Sequence, residues 1–139
     1  MLLQSKRIDI MEESILNTVK ETLGMTPGYT AYDESIKVAI NSVFNVCYQI
    51  GVGPEEPFCI SSVAETWSDF TEHRKTIEMV KTYMFMKVKL IFDPPLNSSV
   101  LESYKQMAAE YEWRLHVQDD IVRHYVPETN ERTEDIYAD

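Results

Sequence analysis

The side chains here that could do chemistry are three histidines, two cysteines and a surplus of carboxylates. Glu112, His116, Asp120 and His124 recur at i, i+4, i+8 and i+12, so a helix long enough to hold all four places them on one face. Carboxylate and imidazole ligands in that register suit a divalent ion. The competing reading is a solvated acidic face near a frayed helix end. It is favoured because no cysteine or further histidine backs the set and Pro127 follows closely. No Glu-x-x-His occurs, which removes the facing-helix di-metal pattern. Cys47 and Cys59 lack redox or metal spacing, and Cys47 falls on an apolar stripe, where a thiol acts as a small hydrophobe. There is no Ser-His-Asp signature. Gly51-Val-Gly53 has neither the preceding strand nor the following helix that a phosphate loop needs. No cofactor is expected. A binding or assembly protein ranks ahead of an enzyme, and a helical metal-binding enzyme stays as an alternative.

Charge narrows the partners. With 23 acidic against 13 basic residues the net charge is -10, a field that repels phosphate. Lys6-Arg7 and Arg74-Lys75 are isolated basic pairs, more in keeping with solvated surface than with a phosphate grip. Two cysteines without framework spacing, and a start (Met1 to Arg7) without a long apolar run, suggest reduced thiols in a cytoplasm-like compartment. Lys81, Lys87 and Lys89 interrupt the most apolar stretch, so no membrane span is expected.

The elements that must position these groups read as helices, and 139 residues suit one domain. The centre is Lys75 to Phe92. Met79, Tyr83, Met86 and Leu90 form one stripe; Ile77, Val80, Met84, Val88 and Ile91 form another. Glu78, Lys81, Thr82 and Lys89 leave only a narrow polar strip, so this helix needs cover on two sides. Pro94 and Pro95 end it sharply. Before it, a first helix is capped at Asp9 with Glu12 and stopped at Gly24; a second runs from its cap at Asp33 to Ile50 and stops at Gly51. The stretch from Ile60 to Thr71 fits a short strand, a hairpin or a short helix, with Trp67 as a plug beneath the loop. A last helix opens with a Ser99–Glu102 capping box and pairs antiparallel with the central one. Its apolar face includes Tyr104, Ala108, Tyr111 and Leu115, with Trp113 to one side.

The resulting expectation is an all-α fold, a small four-helix-type bundle with a loop or short hairpin between helices 2 and 3 and an extended C-terminal tail. Residues 1–8 form an N-terminal arm, 9–118 the helical domain and 119–139 an acidic tail. That tail holds seven carboxylates and two arginines, with scattered apolar points at Ile121, Val122, Tyr125, Val126, Ile136 and Tyr137. Such a segment is disordered alone and suits ordering on a partner. Trp67, Tyr83, Phe92, Pro94, Pro95 and Trp113 are the core and landmark residues.

A resemblance adds to this reading. The runs Ser14 to Gly24, Asn41 to Phe44, Gln49 to Pro54, Thr66 to Phe70 and Val80 to Pro95 carry it, with Val100 to Leu115 of the last helix. In this order and spacing they resemble the head–tail connector proteins of tailed bacteriophages, also called head-completion or adaptor proteins. Phe92-Asp-Pro-Pro95 and Glu112-Trp-Arg-Leu115 are the most specific parts. The resemblance implies a structural virion protein without enzymatic activity, made in the host cytoplasm and built into the head–tail interface. It implies a homo-oligomer, a dodecameric ring beneath the portal protein. Such a ring extends the DNA channel, helps retain packaged DNA, lets DNA pass without specific binding and docks the next tail-side connector or stopper protein. Family members grip the portal with their C-terminal segment, which corresponds here to residues 119–139 by position alone. An interaction module outside phage assembly is the remaining alternative.

Overall fold

Residues 10–124 are described by a computed structural model, with side chains over residues 11–118. Five α-helices follow a short 3-10 turn at Ile10–Glu12: α1 (Ile15–Thr22), α2 (Asp33–Gln49), α3 (Trp67–Phe70), α4 (Arg74–Phe92) and α5 (Ser98–His124). Among the described residues there is no strand, only an isolated bridge between Ser14 and Thr66. The fold is a small all-α bundle.

The helix starts differ from those expected. Ser14 caps α1: its backbone is extended and its Oγ accepts from Asn17 N–H at 3.2 Å. The chain is fixed there because Ile15 N–H donates to Glu65 C=O at 3.0 Å. The expected cap, Asp9, lies outside the described residues. Asp33 is the first residue inside α2 and not its cap; Tyr32 holds the cap position without a side-chain hydrogen bond. Asn97, rather than Ser99, opens α5, its Oδ1 accepting from Ser99 and Val100 N–H at 2.9 and 3.2 Å. A side chain that precedes the first helical residue faces the unpaired N–H groups; one already inside the helix does not.

The stops follow the glycines. Gly24 and Gly51 lie at φ 80° and 88°, a region costly for residues with a Cβ. Met25 N–H reaches Lys20 C=O at 2.9 Å and Val52 N–H reaches Cys47 C=O at 2.8 Å, the six-to-one bond of a Schellman motif. At the other corner Asp93 leaves the helix at φ -144° and ψ 67°, outside the α region that a following proline disfavours.

The ambiguous stretch between α2 and α4 becomes a loop with one helical turn, α3, and not a hairpin. Asn41 pins it to α2: the amide Nδ2–H donates to Ile60 C=O at 2.9 Å and Oδ1 accepts from Ile60 N–H at 2.8 Å. Glu65 accepts from the N–H and hydroxyl groups of both Ser61 and Ser62. Partial burial pushes its carboxyl up, but the N–H and hydroxyl of Ser61, its own backbone N–H and the N–H of Ser62 outweigh that and hold it at about 2. Under the loop, Phe44, Phe58 and Phe70 form a ring cluster with centroids 4.8–5.5 Å apart. Trp67 is fully buried beside them and donates through Nε1 to Thr18 Oγ1 at 3.1 Å.

Helix α4 packs against α5, α2 and α1. Ile77, Val80, Tyr83, Met84 and Val88 are fully buried. One member of the expected polar strip is misplaced: Lys81 is 9% exposed. It sits four residues from both Ile77 and Phe85, on the apolar side of the helix. Helix α5 packs chiefly along α4. Among its residues with described side chains, Leu115 belongs to the core cluster, Ala108 is also buried and Tyr111 is half-buried against it. It runs to His124, six residues past the expected domain limit at 118. No helix of the described residues is long and apolar enough to cross a membrane.

Candidate functional site

Helix α5 passes through Glu112, His116, Asp120 and His124, but the two residues whose side chains are described serve different neighbours. Glu112 is half-buried beside Cys47 of α2 and Tyr83 of α4. Burial, then the Glu112 charge, pushes the Cys47 thiol up to about 12. The same two causes raise Tyr83. The Tyr83 hydroxyl has no hydrogen-bond partner of ordinary geometry, so Glu112 acts on it chiefly through its charge. His116 is exposed, with Nδ1 3.4 Å from Ile50 C=O. Among the described residues no three His, Cys, Asp or Glu side chains converge to hold a metal. The side chains of Asp120 and His124 lie outside the described residues, as do those of Ile121 and Val122 and all of Tyr125, Val126, Ile136 and Tyr137.

The bundle carries two cations in its interior, Lys20, on which the sequence reading was silent, and Lys81, which it placed on the polar strip. Lys20 is fully buried, its Nζ 2.7 Å from Asp33 Oδ1 and donating to Pro27 C=O at 3.1 Å. The carboxylate contact is a charge pair; Oδ1 lacks a hydrogen bond of good angle. This pair ties α1 to the start of α2 across the Pro27-Gly28 turn. Its signal was the four-residue step from Leu16 to Lys20, which carries the apolar stripe of α1 onto a lysine. Lys81 lies 5.7 Å above the Trp67 ring and 5.8 Å above Phe85, with Glu13 at 3.8 Å. Burial lowers its pKa, against the raising effect of Glu13.

The surface offers interaction chemistry. At one end of the bundle the turn between α1 and α2 meets the proline corner. Tyr29 and Tyr32 are 5.9 Å apart, and Tyr32 meets the half-buried Phe92 edge-on at 5.5 Å. Both tyrosines are about half exposed, and Ile91 and Leu96, which flank that ring in sequence, are open to solvent. The sequence signal for this patch was Tyr29 and Tyr32 placed directly after Pro27-Gly28. Pro94 is exposed and Pro95 half-buried. Along α5, Val100 and Met107 are exposed at the edge of the face that meets α4. Trp113, expected among the core landmarks, is 65% exposed. Five residues from Ala108 and two from Leu115, it falls on the opposite side of the helix from both. Exposed aromatic and Met side chains in these numbers are what protein interfaces use.

A third feature is a groove between the first half of α4 and the last half of α5. It has a volume of about 450 Å³ and is lined by Lys75, Glu78, Met79, Thr82, Tyr111 and Gln118.

A model of the phage connector protein family matches residues 15–121. No curated protein and no solved structure matches the chain.

Proposed function

Because the chain belongs to the phage connector protein family, we propose that it closes into a dodecameric ring beneath the portal, extends the DNA channel, helps retain the packaged genome and docks the next tail-side protein. The family makes the chain a phage structural connector and a component of the virion. The match over residues 15–121, from α1 nearly to the end of α5, is the observation that carries this reading.

Two features of the molecule support the finer part. A closed ring needs two complementary side faces on every subunit. The outer side of α5, with Trp113, and the Tyr29–Tyr32–Phe92 end patch supply apolar and aromatic surface that one subunit leaves uncovered. The charge of -10 disfavours adhesion of DNA, so a genome in the lumen slides and does not stick. Residues 119–139 serve as the portal-gripping segment, with Ile121, Val122, Tyr125, Val126, Ile136 and Tyr137 as its apolar anchors.

The test adds purified chain to isolated portal rings and images the product by electron microscopy. A second ring of density on the portal axis is expected, together with poor binding of duplex DNA at physiological salt. Absence of any portal-bound density, or tight salt-sensitive DNA binding, overturns the reading. Chain lacking residues 119–139 should leave the portal bare.

A further inference from the structure

We propose that Trp113 of one copy inserts into the α4–α5 groove of a second copy, as the repeating contact between neighbours. Resting on the ring reading, this contact names the two surfaces that meet. The first observation is a matching pattern of side chains. Met79, Thr82 and Met86 step by three and four along α4, and Tyr104, Met107 and Tyr111 do the same along α5. Met79, Thr82, Tyr104 and Tyr111 are half-buried and Met107 is exposed, so the valley between the two helices keeps apolar surface that its own subunit leaves partly open. Two such rows side by side form a seat for the ridge of a third helix. On the other side of α5, Gln106, Ala109 and Trp113 repeat the three-four step, and all three are exposed. The small Ala109 lets a neighbouring helix approach. Trp113 is the kind of side chain on which interfaces concentrate their binding energy.

The second observation is placement. Trp113 lies between Tyr111 and Gln118 of the groove lining, two residues from one and five from the other, and so on the opposite side of the helix. The giving and receiving faces therefore share one height, and one subunit can hold both contacts at once. Such a contact is heterologous: it repeats from copy to copy and closes when the rotation allows. The Tyr29–Tyr32–Phe92 patch is not level with Trp113, which lies fifteen residues along α5 from Ser98, about 22 Å from the proline corner. The third observation is charge. Two copies at -10 repel each other, so they meet where the facing surfaces carry little net charge. Lys75 stands against Glu78 in the groove lining. Beside Trp113, Arg114 is paired with Glu110 at 2.6 Å. The occupant is therefore a second copy, entering with an indole ring whose surroundings are as nearly neutral as those of the groove.

Trp113 provides the readout, because the other tryptophan, Trp67, is fully buried and gives a constant signal. Fluorescence quenching by acrylamide is measured on the full chain from dilute to millimolar, beside sedimentation. Trp113 should be open to the quencher in dilute chain and lose most of that accessibility as oligomers form. Trp113→Ala removes the inserted ring, and Thr82→Phe fills the groove. Each variant alone should stay monomeric. Mixed, they should give a one-to-one dimer and nothing larger, since one Trp113 and one open groove remain. Circular dichroism confirms that each variant is folded; if Thr82→Phe is not, the quenching and Trp113→Ala decide. Oligomers in which Trp113 stays quenchable overturn this contact, as does wild-type association by either folded variant or a chain whose Trp113 is open at every concentration. Protection of Trp113 that is independent of concentration overturns it too, and gives the ring to a segment of its own chain. A second ring of density formed on the portal by Trp113→Ala would remove this contact and leave the ring reading standing.

Discussion

Replacing Asp33 by Asn removes a charge and almost no volume, which makes it a clean probe of the buried pair. In the native bundle Lys20 is 0% exposed, and its ammonium is held by Asp33 at 2.7 Å and the Pro27 carbonyl at 3.1 Å. In Asp33→Asn the ammonium stays buried against neutral dipoles alone. Removing one partner of a buried pair costs about 3–5 kcal/mol. The Asp33 side chain retains 18% exposure, so solvent screens part of the native attraction and the lower end, about 3 kcal/mol, is expected. At roughly 2.1 cal/mol/K per residue, a chain of this length unfolds with about 0.29 kcal/mol/K, so the thermal midpoint should fall by about 10 °C. The assay is urea and thermal unfolding of Asp33→Asn, Lys20→Met and the double variant. The double variant should lose less than the sum of the singles by about 0.5–3 kcal/mol, since with Lys20 gone there is no charge left to strand. A loss below about 0.5 kcal/mol for Asp33→Asn, or strict additivity, would refute the view that the pair clamps α1 to α2.

Three further outcomes are expected. Trp113→Ala should change stability by no more than about 0.5 kcal/mol while weakening self-association, read by sedimentation; a loss of several kcal/mol would return this ring to the core. Trp67→Ala should cost about 3–5 kcal/mol, and Trp67→Phe should recover most of that while still lacking the bond to Thr18, worth about 1 kcal/mol. Cys47, held near 12 by burial and Glu112, should resist a thiol reagent at pH 8 in the native chain while the exposed Cys59 reacts. The buried thiol keeps its proton where the unfolded one loses it. Its contribution to stability is therefore complete below about pH 9 and drains away as pH rises towards 12. Urea midpoints of wild type and Cys47→Ala between pH 8 and 11 measure this against the similarly directed effect of Tyr83, and parallel slopes would show that the thiol contributes nothing.

What could be read in advance was whatever local spacing controls. The apolar periodicity of α2 and α4, the glycines at 24 and 51 and the two prolines after Asp93 all act within a few residues of where they stand. The single turn of α3 was ambiguous because its stability is not local: it depends on Asn41 reaching Ile60, on Glu65 gathering two serines and on Trp67 reaching Thr18. The caps were displaced, by five residues for α1 and by one for α2, for a similar reason, since contacts from Glu65 to Ile15 and from Lys20 to Asp33 settle where α1 and α2 begin. Lys81 was placed on the polar strip by residue type, although its helical register, like that of Lys20, already put it among apolar neighbours. Trp113 was the opposite case, a large ring whose register turns it away from Ala108 and Leu115. No catalytic pattern was found in the sequence, and the surface features the structure adds, the end patch and the groove, come from elements distant in the chain.

The seat of α5 has a consequence for assembly. It packs chiefly along α4, and among its residues with described side chains Leu115 is the one full member of the core and Ala108 the other buried contact. Re-aiming the helix gives up that leucine, about 1.5–3 kcal/mol, and exchanges its packing along α4 for new contacts. Amide hydrogen exchange should accordingly separate into two tiers, slow through α2 and α4 and faster along α5. With about 40 Å of helix against about 28 Å for α4, α5 acts as an adjustable strut. Its bearing is set at the Pro94-Pro95 corner, and a small rotation there becomes a displacement of many ångströms at the far end.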